Sequence, residues 1–453
     1  MKLYNFLHRK VEEFIPLKSP VGMYSCGPTT YDFVHIGNLR TFIFEDVLQR
    51  VLEANGLEVK RVMNITDIDD KIIKGAKDAG LPIEEFSKPY EKVFMEDLSK
   101  LNIKYANVYP KATEHIGHMI KYIEELIKKG LAYAREGSVY FDISESPGYG
   151  KLTGLENISL KEGTRISSDE YTKDDVQDFA LWKSVESTEV GYDSPWGRGR
   201  PGWHIECSVM SQEYLGNTFD IHAGGVDLIF PHHENEIAQA EGKTGEKFVN
   251  FFVEGEHLLV DGAKMAKSKG NFYKLKDLEE KGIEPVVFRY LTLTAHYRDK
   301  LNFSWESLQG AHNALNNLRE KIRGWNEEIG LSEQSNLGDN LFWQRFFESV
   351  NNDLNLPQAV AVLWEMVNSD TTTPGRSKVL LEMDKILGLN LDQYLGKTIE
   401  IPEGVQKLIG RREEARKTGN FKESDKLRHE IKKLGFEILD TESGPKIKKT
   451  NAS

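Results

Sequence analysis

At 453 residues the chain exceeds what one hydrophobic core supports and predicts roughly two to four domains. Its 39% hydrophobic and 29% charged content is that of an ordinary globular protein, and a net charge of −12 excludes a binder of polyanions whose whole surface is basic, while leaving room for a local basic face. Two cysteines, Cys26 and Cys207, exclude a disulfide scaffold and predict a reduced, cytoplasmic setting; with no apolar signal segment and no run of ~18 apolar residues, no membrane partner is expected.

Residues 1–102 read as alternating strand and helix. An apolar strand-like run (Val21, Met23, Tyr24) leads through Cys26-Gly27-Pro28-Thr29-Thr30-Tyr31-Asp32-Phe33-Val34-His35-Ile36-Gly37-Asn38 into a helix expected over Phe42–Ala54, which ends before Asn55-Gly56. A strand is expected at Leu57–Thr66. Strand–helix–strand predicts a parallel sheet with ligands beyond the carboxyl ends of its strands, which brings Cys26 and Thr66 to one edge. The glycine-containing turn before a helix N-terminus suits phosphate, because free N–H groups and the helix dipole both favour negative charge. Asp67, Asp69 and Asp70 read as charge at a helix start rather than as a metal site.

The texture changes over 103–197: a helix at Ile116–Lys129, short strands such as Ser138–Ile143, and a polar stretch from Glu162 to Asp178 predict an insertion. From 198 the strand–turn–helix texture returns. Gly202-Trp203-His204-Ile205-Glu206-Cys207 opens a helix, Phe219–Asp227 is a strand running into a glycine turn, and Pro231-His232-His233-Glu234-Asn235-Glu236 begins another helix. Lys264-Met265-Ala266-Lys267-Ser268 then places two lysines and a hydroxyl within five positions, between Gly262 and Gly270. Residues 306–395 show helical stripes (Leu308, Ala311, Leu315, Leu318; Ala359, Val360, Leu363, Trp364, Val367) that predict a helix bundle, with a loop at Thr371–Gly375. The tail has helix-like runs at Val405–Lys417 and Phe421–Leu434 and a strand at Phe436–Asp440. Its 13 basic against 9 acidic side chains over 401–453 make it the place to seek a nucleic-acid contact.

Cys26, Cys207, His232 and Glu236 are candidate metal ligands. Spacing alone leaves open that two scattered cysteines are small buried hydrophobes. Against that, both cysteines sit by expectation at strand-to-helix turns, and His232 and Glu236, four apart at a helix start, share a face; His233 competes at three positions from Glu236.

The stretches ending at Asn38 and at Ser268 resemble the HIGH and KMSKS signatures of class I aminoacyl-tRNA synthetases. With Gly202–Cys207 and Pro231–Glu236 around them, the chain resembles the cysteinyl-tRNA synthetase family over essentially its whole length. The resemblance implies an α/β fold: a Rossmann-like parallel-sheet catalytic domain (first half 1–102, second half 198–235) with an inserted connective domain (103–197). A stem-contact region with the lysine signature loop (236–305), an all-α helical bundle that binds tRNA (306–395) and a small C-terminal mixed α/β anticodon-binding domain (396–453) follow. It implies ATP-dependent activation of L-cysteine to cysteinyl-adenylate and transfer to tRNA(Cys) by a monomer. Zinc held by Cys26, Cys207, His232 and Glu236 receives the substrate thiol. An apolar pocket separates near-isosteres only about 10–200-fold, which a metal–sulfur bond exceeds, so no editing domain is needed.

By the same resemblance His35, Asn38, Lys264 and Lys267 are catalytic, Gly37 and Ser268 join them at ATP, and Mg²⁺ accompanies the nucleotide. Gly27, Thr66, Trp203 and Asp227 contact the substrate, with Trp203 as a wall and Asp227 on the ammonium; His204, His222 and His257 line the site. Arg411, Arg412 and Arg416 are expected at tRNA phosphates. Two positions depart from the signatures, Asn38 for histidine and Ala266 for serine. Two alternatives remain. A related ligase that joins cysteine to an amino-sugar in mycothiol synthesis shares the core and lacks the tail. A paralogue that binds zinc, nucleotide or RNA without aminoacylating is kept open by Asn38.

Overall fold

The structure, a computed structural model, describes residues 1–154, 165–166, 177–265, 270–325, 337–369, 375–397, 400–441 and 444–449. Lys267, Ser268, Ala266, most of the Glu162–Asp178 stretch and the Thr371–Pro374 loop lie outside the described residues.

The central sheet has four strands, β1 (Val21–Ser25), β2 (Val59–Met63), β3 (Phe219–Gly225) and β4 (Val249–Gly255), in the spatial order β4-β3-β1-β2, all parallel. Every residue of β1 and of β3 is buried, Asp220 and His222 of β3 included, because the sheet is covered on both faces. Helix α1 (Ile36–Ala54) joins β1 to β2. Helix α2 (Trp203–Leu215) precedes β3, and helix α3 (Glu234–Thr244) joins β3 to β4. The chain leaves β1 toward one edge and β3 toward the other. The neighbouring carboxyl ends of β1 and β3 therefore bound the crevice where ligands bind in such sheets.

Helix α1 begins at Ile36, a turn and a half earlier than its apolar spacing implied. The cap is His35, whose Nδ1 accepts from the Asn38 N–H (3.2 Å) while Asn38 Oδ1 accepts from the His35 N–H (3.3 Å). A histidine cap is not among the usual N-cap residues, so the start was not marked in the sequence.

Beside the sheet lies a three-stranded unit: β5 (Leu258–Val260) pairs antiparallel with β6 (Ala263–Lys264) and parallel with β7 (Leu301–Phe303). Helix α4 (Pro285–Leu293) packs on α1 and on the bundle, which includes α5 (Trp305–Arg323), α6 (Leu341–Asn351), α7 (Leu356–Asn368) and α8 (Arg376–Leu387). The expected stripes are buried, with Trp364 half-buried and its indole N–H donating to the Tyr290 hydroxyl at 2.9 Å. One hydrophobic core runs from the α1 face of the sheet into this bundle. A second covers the opposite face beneath α2, the helix Ile116–Lys128 and the inserted sheet of Ala132–Arg135, Ser138–Phe141, Asp178–Ser184 and Gly199–Pro201. A third, small core (Val405, Ile431, Phe436, Ile438) belongs to the tail's two helices and β-hairpin.

Candidate active site and metal centre

The crevice between β1 and β3 gathers the cysteines, histidines and buried acids. Cys26 follows β1 directly. Cys207 lies in the second turn of α2, inside the helix rather than at the turn expected for it. His232 and His233 sit in an irregular turn, Ile229–His233, with Phe230 extended; α3 starts only at Glu234, so His232 and Glu236 meet across a turn–helix junction instead of along one helix. They meet nonetheless: His232 Nε2 is 3.1 Å from Glu236 Oε1. Cys26 Sγ is 4.0 Å from Cys207 Sγ, and both thiols are free. Ligand atoms of Cys26, Cys207, His232 and Glu236 all lie within 4.8 Å of one another.

A second donor set overlaps the first. Cys26, His222, His233 and Glu236 satisfy the same distance limit. His222 Nε2 stands 2.9 Å from Glu236 Oε2, and His233 Nδ1 stands 2.9 Å from Glu254 Oε1. Cys26 Sγ is 3.7 Å from His233 Nε2. His204 Nδ1 is 2.9 Å from His232 Nδ1, and the Trp203 ring stacks on His232 with centroids 4.1 Å apart. Sequence reading had His204 and His222 near the site but missed Glu254. Its signal is a lone acid directly after the apolar run Phe251–Val253 of β4.

Burial sets the electrostatics. It pushes the Cys26 and Cys207 thiols up and the His232 and His233 imidazoles well down, so without a cation all four favour their neutral forms. Burial would also raise Glu236, but His222 and His232 outweigh it and hold the carboxylate below its usual range. Glu254 is pushed well up by burial, with Asp227 adding to the effect. Two thiols, an imidazole and a carboxylate, largely buried and within 4.8 Å of one another, form the soft four-donor set that suits tetrahedral zinc.

The remaining expected residues surround this centre. Gly27 N–H donates to Asn64 Oδ1 at 2.9 Å, and a Cβ on Gly27 would stand 1.7 Å from the Asn64 carbonyl oxygen, so only glycine fits. Thr66 Oγ1 donates to Glu206 Oε2 at 2.9 Å, one residue before Cys207. Asp227 is exposed just beyond β3. Asp69 caps the helix Asp70–Ala79, and Asp67 accepts from Thr113, as charge at a helix start requires.

The two signature stretches meet. A Cβ on Gly37 would lie 2.8 Å from Met265 Cε, and Ile36 N–H donates to the Tyr273 carbonyl at 2.9 Å. The Phe272 ring meets the His35 ring edge-on at 5.0 Å. Lys264 is exposed on β6.

The tail corrects one expectation. Arg412 is buried, its two terminal nitrogens on Asp440 at 2.7 and 2.8 Å, and Arg416 pairs with the same carboxylate. These side chains hold the hairpin to its helix. Arg411 remains 64% exposed. The sequence shows the basic cluster but not the acid that folds back onto it.

Residues 14–313 match the family model described as tRNA synthetases class I (C) catalytic domain, and 398–444 match the cysteinyl-tRNA ligase anticodon binding domain. The chain is 45% identical to the cysteine–tRNA ligase of Chlamydia muridarum, covering 99% of both chains, and 43% identical to that of Brachyspira hyodysenteriae, covering 98% of both. Among solved structures it resembles Mycobacterium tuberculosis methionyl-tRNA synthetase bound by methionyl-adenylate (TM-score 0.59, 14% identity, 86% of this chain and 94% of that one). It also resembles Agrobacterium radiobacter LeuRS in a ternary complex with tRNA and LeuAMS (TM-score 0.60, 11% identity, 84% and 86%). At those identities the likeness establishes the shared fold. Full-length identity, both family matches and the parallel-sheet architecture agree: the chain belongs to the cysteine–tRNA ligase family of class I aminoacyl-tRNA synthetases.

Proposed function

We propose that the chain activates L-cysteine with ATP to cysteinyl-adenylate and transfers the cysteinyl group to tRNA(Cys). The observation that carries this reading is the cluster of Cys26, Cys207, His232 and Glu236 at the crevice, beside an anion-suited helix start at His35. Zinc held by these four residues would supply a soft Lewis acid that prefers a thiolate to a hydroxyl.

The chain's own groups account for the rest. Trp203, stacked on His232, walls the pocket, Thr66 and Gly27 border it, and the exposed Asp227 carboxylate takes the substrate ammonium. His35, Gly37 and Asn38 at the start of α1 present the positive end of the helix dipole to the triphosphate. Asn38 does not need to become cationic for this: its side chain locks the His35 cap. Lys264, Lys267 and Ser268 neutralise the leaving pyrophosphate together with Mg²⁺. The domain division follows the family pattern, with the inserted sheet over the crevice and the bundle and basic tail engaging tRNA.

ATP–pyrophosphate exchange on zinc-loaded protein, with tRNA absent, tests the first step. Exchange is expected with cysteine and not with serine, and subsequent charging of tRNA(Cys) excludes the amino-sugar ligase. A fully metallated protein without cysteine-dependent exchange would refute tRNA-independent activation.

Gly27→Ala should lower kcat/KM for cysteine in that assay about 100-fold, since its Cβ must displace the Asn64 backbone and with it the pocket rim. An unchanged value would remove Gly27 from the substrate site.

A further inference from the structure

Helix α1 carries the His35 end of the phosphate site, and the β5–β6–β7 sheet carries the Lys264 end. One side chain spans them. Arg40, five residues after His35 on α1, is 5% exposed, and its guanidinium donates to four backbone carbonyls. Nη1 reaches Glu256 at 2.8 Å and His257 at 2.7 Å; Nη2 reaches His296 at 3.2 Å and Asp299 at 2.5 Å. The acceptors fall in two groups with a common meaning. Glu256 and His257 lead directly into β5, which pairs with β6 and its Lys264, and His296 and Asp299 lead into β7, the other neighbour of β5. The two segments that feed the lysine-bearing sheet are thus tied to one point on the His35 helix. Space filling does not account for this choice, because a buried guanidinium is dearer to desolvate than an aliphatic chain of similar size. The two units also touch where the signatures meet, Met265 against Gly37.

We propose that Arg40 is a positioning residue for amino-acid activation: it sets the separation of the His35 helix and the Lys264 hairpin so that both engage one triphosphate. This rests on the proposed function. Misplacement of reacting groups by about 1 Å costs on the order of 100-fold in rate, which is the scale such a clamp controls.

The test is ATP–pyrophosphate exchange with varied ATP and varied cysteine for wild type, Arg40→Lys and Arg40→Gln, with bound zinc measured on each protein. Arg40→Lys keeps the charge but not the fork that reaches four carbonyls, and it decides the matter if Arg40→Gln does not fold. Both variants are expected to lose about 10–100-fold in kcat/KM for ATP, while KM for cysteine and zinc per chain stay within about twofold of wild type. Amide exchange should quicken in Leu258–Val260 and Leu301–Phe303 and not in α1. A kcat/KM for ATP like that of wild type, or equal losses for ATP and cysteine, would overturn the proposal while the functional reading stands. Absence of exchange in the wild-type protein would overturn both.

Discussion

Cys207→Ala is expected to leave the purified protein without stoichiometric zinc and to reduce cysteine-dependent pyrophosphate exchange about 10³-fold or more. A metal acting as a Lewis acid stabilises charge by several kcal/mol, and each 1.36 kcal/mol is about tenfold. The variant also separates the two overlapping donor sets. Cys26 and Glu236 belong to both, whereas Cys207 and His232 belong only to the first and His222 and His233 only to the second. If the first set binds the ion, Cys207→Ala and His232→Asn lose it. His222→Asn then weakens zinc affinity by only about 10–100-fold, as loss of an outer partner to a ligating carboxylate does. His222 is such a partner, 2.9 Å from Glu236 Oε2. Zinc content and competition with a chelator are measured without reference to catalysis. Cys207→Ala that keeps one zinc per chain, alongside His222→Asn that loses it, would transfer the metal to the second set. The substitution removes little volume from its core, and circular dichroism checks that the fold persists.

What was legible in the sequence follows from which features are local. Strand–helix alternation and buried apolar runs announce the parallel sheet, and the carboxyl-end rule then places Cys26 and Thr66 together; the isolated bridge between Thr29 and Thr66 bears this out. The bundle's stripes repeat at 3.6 residues and bury as expected. What was hidden depends on partners distant in sequence. The true start of α1 rests on a histidine cap. The position of Cys207 rests on where α2 begins, and the turn before α3 rests on backbone that no propensity marks. Arg412 reads as an open cation until Asp440 returns to it across 28 residues. The pairings of Glu254 with His233, of His222 with Glu236, and of Arg40 with the segments leading into β5 and β7 were hidden for the same reason: each is defined by contacts between elements rather than by spacing within any of them.

Arg289→Met is expected to destabilise the folded chain by about 3–5 kcal/mol, the usual loss when one partner of a buried ion pair is removed and the other charge stays behind. Arg289, on α4, and Asp46, on α1, are both fully buried, with Arg289 Nη2 at 2.6 Å from Asp46 Oδ2. The same carboxylate takes Arg50 Nε at 2.7 Å and the Lys104 N–H at 2.8 Å. Arg289 also donates to the carbonyls of Leu387, Leu101 and Asn102, so it ties α1 and α4 to the end of α8 in the bundle. Gly388, at φ +68°, ends α8 against this guanidinium, where a Cβ would stand 2.6 Å from Nη2. Burial pushes the Asp46 carboxyl up, yet Arg289 and Arg50 bring it below its ordinary value. A depressed carboxylate stabilises the fold above the unfolded pKa, and that contribution is lost as pH falls through the folded value. In Arg289→Met only Arg50 and one backbone N–H oppose burial, so Asp46 takes up a proton more readily. The deficit is therefore largest at neutral pH and smaller in acid, where the protonated carboxyl no longer needs the missing cation. Urea unfolding at neutral and at acidic pH measures it. A loss under about 1 kcal/mol, or one that grows on acidification, would mean that this network does not hold the bundle to the catalytic core.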